Sequence, residues 1–271
     1  MASTRITIKH QKRISKDLRC ACWNIRSWAG REHEILLEMQ KHKIDICAIS
    51  ETKRKGKGEL TYTDYILKYS GIAKSKRAVA GVGILINTKL IPNIEDTYYV
   101  DERIIKVVLD IGKEKIHFLS VYAPDSSRKK EETDNFYENL QKEIDKIPTG
   151  EKTFILGDMN ARVGNNVVDG VKQRFSEDQT NENGIKLTLF CANNELRINN
   201  TYFNHKKQHK ITWSNTRGST STIDYIITNR AIHPNIILDV RSLSQLGSRK
   251  NKIVYKIKKE KTINASRKTK H

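Results

Sequence analysis

The chain has 271 residues, with 50 Lys and Arg against 31 Asp and Glu, a formal net charge of +19 and an apolar fraction of 37%. That length suits one large domain, or two small ones, with enough apolar residues for a sizeable core. No stretch approaches the roughly 18 apolar residues of a membrane span, and the polar, basic first residues lack the apolar segment of a secretory signal, so membrane-spanning and secreted classes are set aside.

In chain order, Leu18 to Ile25 reads as a short strand ending at a polar loop. Arg31 to His42 has helical apolar spacing through Ile35, Leu36 and Met39, and Ile44 to Ile49 is a compact apolar run typical of a buried strand. Gly81 to Ile86, Ile104 to Ile111 and Lys115 to Tyr122 are further predicted strands. Lys130 to Ile147 is a charged amphipathic helix with Phe136, Leu140 and Ile144 on one face. Thr153 to Leu156 runs as a strand straight into Gly157-Asp158, and Gly184 to Asn194 is helical through Leu187, Phe190 and Cys191. Thr222 to Thr228 and Ile253 to Ile257 are late strands. Strands and helices mix without strict alternation, which points to two sheets with outer helices.

Polar residues recur at the ends of these strands: Asn24, Glu51, Asp158 with Asn160, and Asp224. Taken singly, each is more simply a turn former. Taken together, carboxylates and amides just past strand ends can converge on one cleft, where hard oxygen donors hold a cation such as Mg²⁺ through one or two carboxylates plus substrate phosphate.

The local words around these positions carry a resemblance. Cys22-Trp23-Asn24-Ile25-Arg26-Ser27, Ile49-Ser50-Glu51-Thr52-Lys53, Ser120-Val121-Tyr122-Ala123-Pro124, Leu156-Gly157-Asp158-Met159-Asn160-Ala161 and Thr222-Ile223-Asp224-Tyr225-Ile226 stand in that order. The ordered set resembles the motifs of the endonuclease/exonuclease/phosphatase superfamily. Asn181-Glu182-Asn183-Gly184, Asn199-Asn200-Thr201-Tyr202-Phe203 and Lys210-Ile211-Thr212-Trp213 narrow the likeness to the endonuclease domains of LINE-type (non-LTR) retrotransposons. The resemblance implies an α/β four-layer sandwich of two mixed sheets flanked by helices, and an Mg²⁺- or Mn²⁺-dependent endonuclease acting on DNA as a monomer in the nucleus. It implies Glu51 as the principal metal ligand with Asn24 beside it, Asp158 as the group that orients or deprotonates water, and Tyr122 and Asn160 as holders of the scissile phosphate. Asp224 supports a site-closing histidine in that family.

The family closes with a Ser-Asp-His word before its last strand. Here the place reads Gly247-Ser248-Arg249-Lys250-Asn251-Lys252, with Arg249 and Lys250 where Asp and His are expected. Loss of a positioned acid–base pair lowers rate by orders of magnitude, so weakened cleavage is expected. Two alternatives stand beside it: a catalytically silent nucleic-acid-binding domain of the same fold, and a phosphatase acting on a soluble or lipid phosphate.

The charge is unevenly spread. Residues 1–19 hold +5 and residues 249–271 hold +9, leaving about +5 for everything between. The expected organisation is a basic N-terminal tail over 1–17, the nuclease-like domain over 18–258 and a basic C-terminal tail over 259–271. Such tails raise non-specific affinity for nucleic acid by counterion release; solvated ends that only aid solubility are the plainer account. Cys20, Cys22, Cys47 and Cys191 lie in apolar segments. They read as buried reduced thiols of an intracellular protein, since Cys20-x-Cys22 lacks the second ligand pair of a zinc site.

Overall fold

The computed structural model describes residues 17–75, 80–112, 114–243 and 252–258. The first strands are β1 (Asp17–Asn24), β2 (Ile46–Ser50), β3 (Lys57–Thr61), β4 (Tyr65–Ser70) and β5 (Val82–Asn87). The middle of the chain supplies β6 (Ile94–Tyr99), β7 (Ile104–Asp110), β8 (Lys115–Tyr122) and β9 (Lys152–Asp158). The rest are β10 (Leu196–Ile198), the short pair β11 (Trp213–Ser214) and β12 (Thr220–Ser221), then β13 (Asp224–Asn229), β14 (Ile237–Leu243) and β15 (Lys252–Lys258). Three α-helices intervene: α1 (Glu32–Lys41), α2 (Lys130–Asp145) and α3 (Glu182–Asn193).

One sheet runs β14-β15-β1-β2-β5-β4-β3 and the other β10-β13-β9-β8-β7-β6. Each contains one parallel pair, β1 with β2 and β8 with β9, and each pair is joined through a helix, α1 or α2. The period-2 alternation of strands then sorts side chains into layers. Cys20 and Cys22 of β1, with Phe118 of β8 and Phe154 of β9, belong to the apolar layer between the sheets. Ala21 and Trp23 face the other way, into a layer with Ile35 and Met39 of α1. Leu119 and Val121 do the same in the second sheet, packing with Phe136 and Leu140 of α2 and Leu187 of α3. The result is helix, sheet, sheet, helix, the four-layer sandwich expected from the motifs. Burying each large side chain in these layers contributes about 1.5–3 kcal/mol.

Local signals set the helix ends. In α1, Glu32 and Glu34 occupy the first turn and Lys41 the last, which suits the helix dipole. The Asn181 side chain caps α3 by accepting the Gly184 N–H at 2.8 Å.

Small residues decide how closely the sheets meet near their active edge. Ser50 and Ser120 are fully buried, and their hydroxyls donate across the gap to the carbonyls of Val121 (3.4 Å) and Ile49 (3.5 Å). Gly157 has φ +150°, and a Cβ there would lie 2.0 Å from the Val121 carbonyl oxygen. Only glycine therefore lets β9 pass β8 at this point.

Candidate active site

The strand ends converge, and each turns sharply as it leaves its sheet. Arg26, Glu51 and Asn160 all adopt left-handed backbone, with φ of 62°, 55° and 46°. For residues with a Cβ this conformation costs of order 1–2 kcal/mol, and such strained positions cluster where geometry serves function. The loop after β2 is held from β5: the Thr52 N–H donates to the Gly81 carbonyl and the Lys53 N–H to that of Ala80.

Asn24 lies at the centre. Its Nδ2 donates to Glu51 Oε1 at 2.6 Å and to Asp158 Oδ2 at 2.9 Å, so one amide bridges carboxylates from the two sheets. Its Oδ1 accepts the Arg26 N–H at 3.2 Å, which fixes the orientation of the amide. Tyr122 donates its hydroxyl to Glu51 Oε1 at 3.2 Å. Burial above all, and then the nearby carboxylates of Glu51 and Asp158, push the Tyr122 phenol well above its ordinary pKa. It is therefore a neutral donor at any physiological pH.

Asp158 is fully buried, and its Oδ1 accepts the Asn160 N–H at 3.0 Å. The Asn160 side chain donates to the Ala123 carbonyl at 2.8 Å. Asp224 stands directly opposite Asp158 in the β9–β13 register and is 1% exposed. Beneath them Cys22 stays a thiol, because burial above all, and then the nearby Asp224 and Asp158 carboxylates, raise its pKa. Of the six residues singled out from sequence, Asn24, Glu51, Tyr122 and Asp158 form one hydrogen-bonded cluster, Asn160 joins it through its backbone, and Asp224 adjoins it by register.

Sequence reasoning assigned no role to the residues that hold this cluster. Asn183, at the start of α3, donates to the carbonyls of Asn160 (3.0 Å) and Pro124 (3.1 Å), pinning the left-handed turn. Thr212 Oγ1 accepts the N–H groups of Ile223 and Asp224, and Asn200 bonds the Asp224 carbonyl and the Ile226 N–H. All three lie inside words already noted for their resemblance, which was the available signal. The Ser248-Arg249-Lys250 segment lies outside the described residues.

Among the described residues no three His, Cys, Asp or Glu side chains form a ready-made metal cage. The donor set is instead two carboxylates with an amide between them, one carboxylate partly exposed. That fits Mg²⁺ or Mn²⁺, which binds through one or two carboxylates and keeps waters, better than it fits a closed site.

The comparisons agree with this architecture. A family described as endonuclease-reverse transcriptase matches residues 116–248. The AP endonuclease LMAP of Leishmania major superposes with a TM-score of 0.69 at 11% identity, covering 96% of this chain and 93% of that one. The endonuclease domain of TRAS1, a telomere-specific non-LTR retrotransposon, gives 0.65 at 15% identity over 90% of this chain and all of its own. The fold is that of the endonuclease/exonuclease/phosphatase proteins among these solved structures, and just under half of the chain matches the endonuclease-reverse transcriptase family. Among curated proteins it is similar to craniofacial development protein 2 of Bos taurus, 34% identical over 207 residues, 76% of this chain and 35% of that protein. The chain thus spans about a third of the length of the curated relatives it matches.

Proposed function

We propose that the chain is a divalent-metal-dependent endonuclease domain that hydrolyses DNA phosphodiesters, slowly, and that it descends from a non-LTR retroelement. The observation that carries the proposal is the Asn24 amide held between Glu51 and Asp158, a bridge between the ends of β1, β2 and β9. Glu51 and Asn24 would hold the cation, which when bound neutralises phosphate charge and polarises the leaving oxygen. Asp158, fixed by the Asn24 amide and the Asn160 N–H, orients an attacking water and accepts its proton. Tyr122, kept protonated by its surroundings, donates to a phosphate oxygen, and Asn160 holds the opposite side. Such preorganised donors act where charge develops.

DNA as substrate is supported by the AP endonuclease and retrotransposon endonuclease neighbours, and a DNA substrate implies action in the nucleus. Retroelement descent is supported by the family description and by the TRAS1 likeness. The slow rate follows from Arg249 and Lys250, which replace the Asp and His that would carry a proton. The same replacement favours a second reading, a DNA-binding domain that no longer cleaves.

Supercoiled plasmid with Mg²⁺ separates the two. Slow conversion to nicked circle, abolished by EDTA, by Asp158→Ala and by Glu51→Gln, is the expected result. Tight DNA binding with no nicking even at high enzyme concentration supports the binding domain instead. Phosphate release from small phosphate esters without any action on DNA would sink both.

A further inference from the structure

We propose that the protein holds one chloride, or another monatomic anion of that size, in a small cavity beside the strand that carries Asp224. The cavity measures about 10 Å³ and lies where β14 meets the connection between β10 and β11. Ser176, Asn200, His209, Lys210, Thr222 and Ser242 supply polar groups to its wall. Its size admits a single non-hydrogen atom, since about 10–15 Å³ is the room that one water needs. Phosphates, carboxylates and nucleotides are therefore excluded as occupants.

Two hydroxyls on the wall have no hydrogen bond among the described residues. Ser242 is 2% exposed, and both its Oγ and that of Ser176 are buried and unpaired. Buried hydroxyls left unpaired are costly, so a ligand that pairs them is stabilising. The other polar groups are already engaged. Asn200 donates to the Asp224 carbonyl and accepts the Ile226 N–H. The Thr222 hydroxyl donates to the Lys210 carbonyl at 2.8 Å, and the Ser242 carbonyl accepts from His209 Nδ1 at 3.4 Å. A hard cation would find no carboxylate on the wall and only carbonyls with partners. The charge there is positive instead. Arg241, also on the wall, is paired with Asp239, but Lys210 forms no ion pair among the described residues. An anion accepts from both serine hydroxyls and matches the lysine, whereas a neutral water leaves that charge unbalanced. Because Asn200 joins the wall to Asp224 and Ile226, the bound ion braces β13 where it enters the candidate active site.

The test is a thermal melt of the full chain at fixed ionic strength, with potassium glutamate exchanged stepwise for potassium chloride. Chloride should raise the midpoint by roughly 2–5 °C per tenfold increase once the site is half filled. Ser242→Ala and Ser176→Ala should each flatten that rise, and Lys210→Met should abolish it. Lys41→Met, at an exposed position on α1, should keep the wild-type response, which separates the cavity from general screening of a basic chain. Should Ser242→Ala fold poorly, Ser176→Ala carries the same readout from a half-buried position. Crystals grown in bromide should show an anomalous peak between the two serine hydroxyls. A density peak there without anomalous scattering identifies a buried water and overturns the proposal. So does a wild-type midpoint indifferent to chloride, or a chloride response that survives intact in the folded Ser176→Ala and Lys210→Met proteins. None of these readouts uses DNA or a divalent metal, so the outcome is independent of the nuclease reading.

Discussion

Replacing Asn24 by Asp alters one atom group at the centre of the cluster, and its cost can be worked from the distances. The amide that donates to Glu51 and Asp158 at 2.6 and 2.9 Å becomes a third carboxylate. Two like charges about 3 Å apart repel by roughly 5 kcal/mol at an effective dielectric of about 20. Two such pairs would exceed the whole stability of many domains. The folded variant escapes by keeping a proton on one carboxyl. Holding it at pH 7 against an unfolded pKa near 4 costs about 4 kcal/mol, at 1.36 kcal/mol per pH unit. The variant should therefore be about 3–5 kcal/mol less stable than wild type in urea unfolding at pH 7 with EDTA. The sign with pH follows from linkage. The folded variant binds a proton that the unfolded chain has released, so its deficit shrinks by about 1.4 kcal/mol per unit as pH falls from 7 toward 5. Millimolar Mg²⁺ should recover part of the loss at pH 7, because a cation can replace the proton. A variant as stable as wild type at pH 7 in EDTA would show that these three side chains do not share one site, and the reasoning would fail with it.

Gly157→Ala places a methyl 2.0 Å from the Val121 carbonyl oxygen in a backbone conformation foreign to alanine; thermal melts should show a loss of about 3 kcal/mol or more, or no soluble protein. Lys106→Met strips the buried Glu143 of a partner at 2.6 Å, both side chains being 5% exposed or less. Because Lys146 still pairs with Glu143, it should cost about 1–3 kcal/mol in urea, whereas Lys106→Met with Glu143→Leu should recover most of that; a double variant no better than the single one would refute the argument. Arg249→Asp with Lys250→His should raise plasmid nicking by about 10² to 10⁴, the range of a positioned acid–base pair, and no gain over wild type would count against the lost pair as the cause of slow cleavage.

Legibility from sequence followed burial, with one exception: β4, mostly buried between β5 and β3, was not read as a strand. The strands buried on both faces, among them β2, β5, β7, β8 and β9, announce themselves as mostly apolar runs, and each was found within about two residues at either end. β3 and β6 were not, since at the sheet edges they alternate exposed and half-buried residues such as Lys57, Glu59 and Glu95. β14 failed for the same reason, interrupted by Asp239 and Arg241. At the site, residues at the mouths of buried strands were legible because an apolar run pointed to them. Asn183 and Thr212 stood inside words already noted, but their roles were not legible, because each acts on a backbone group that only the fold brings near.

The place of β15 has a consequence for how the chain is made. It lies between β14 and β1, so the first described strand is flanked on one side by the last. A nascent chain that has not yet extended past Lys258 carries β1 with an open edge, and the carboxylate-bridging Asn24 sits at the end of that unfinished strand. The first sheet therefore closes only after the second has been synthesised, and truncated products present an unpaired strand prone to capture by other chains. Completion of the candidate site is coupled to synthesis of β15, which denies shorter fragments a finished centre and makes them ready clients for chaperones.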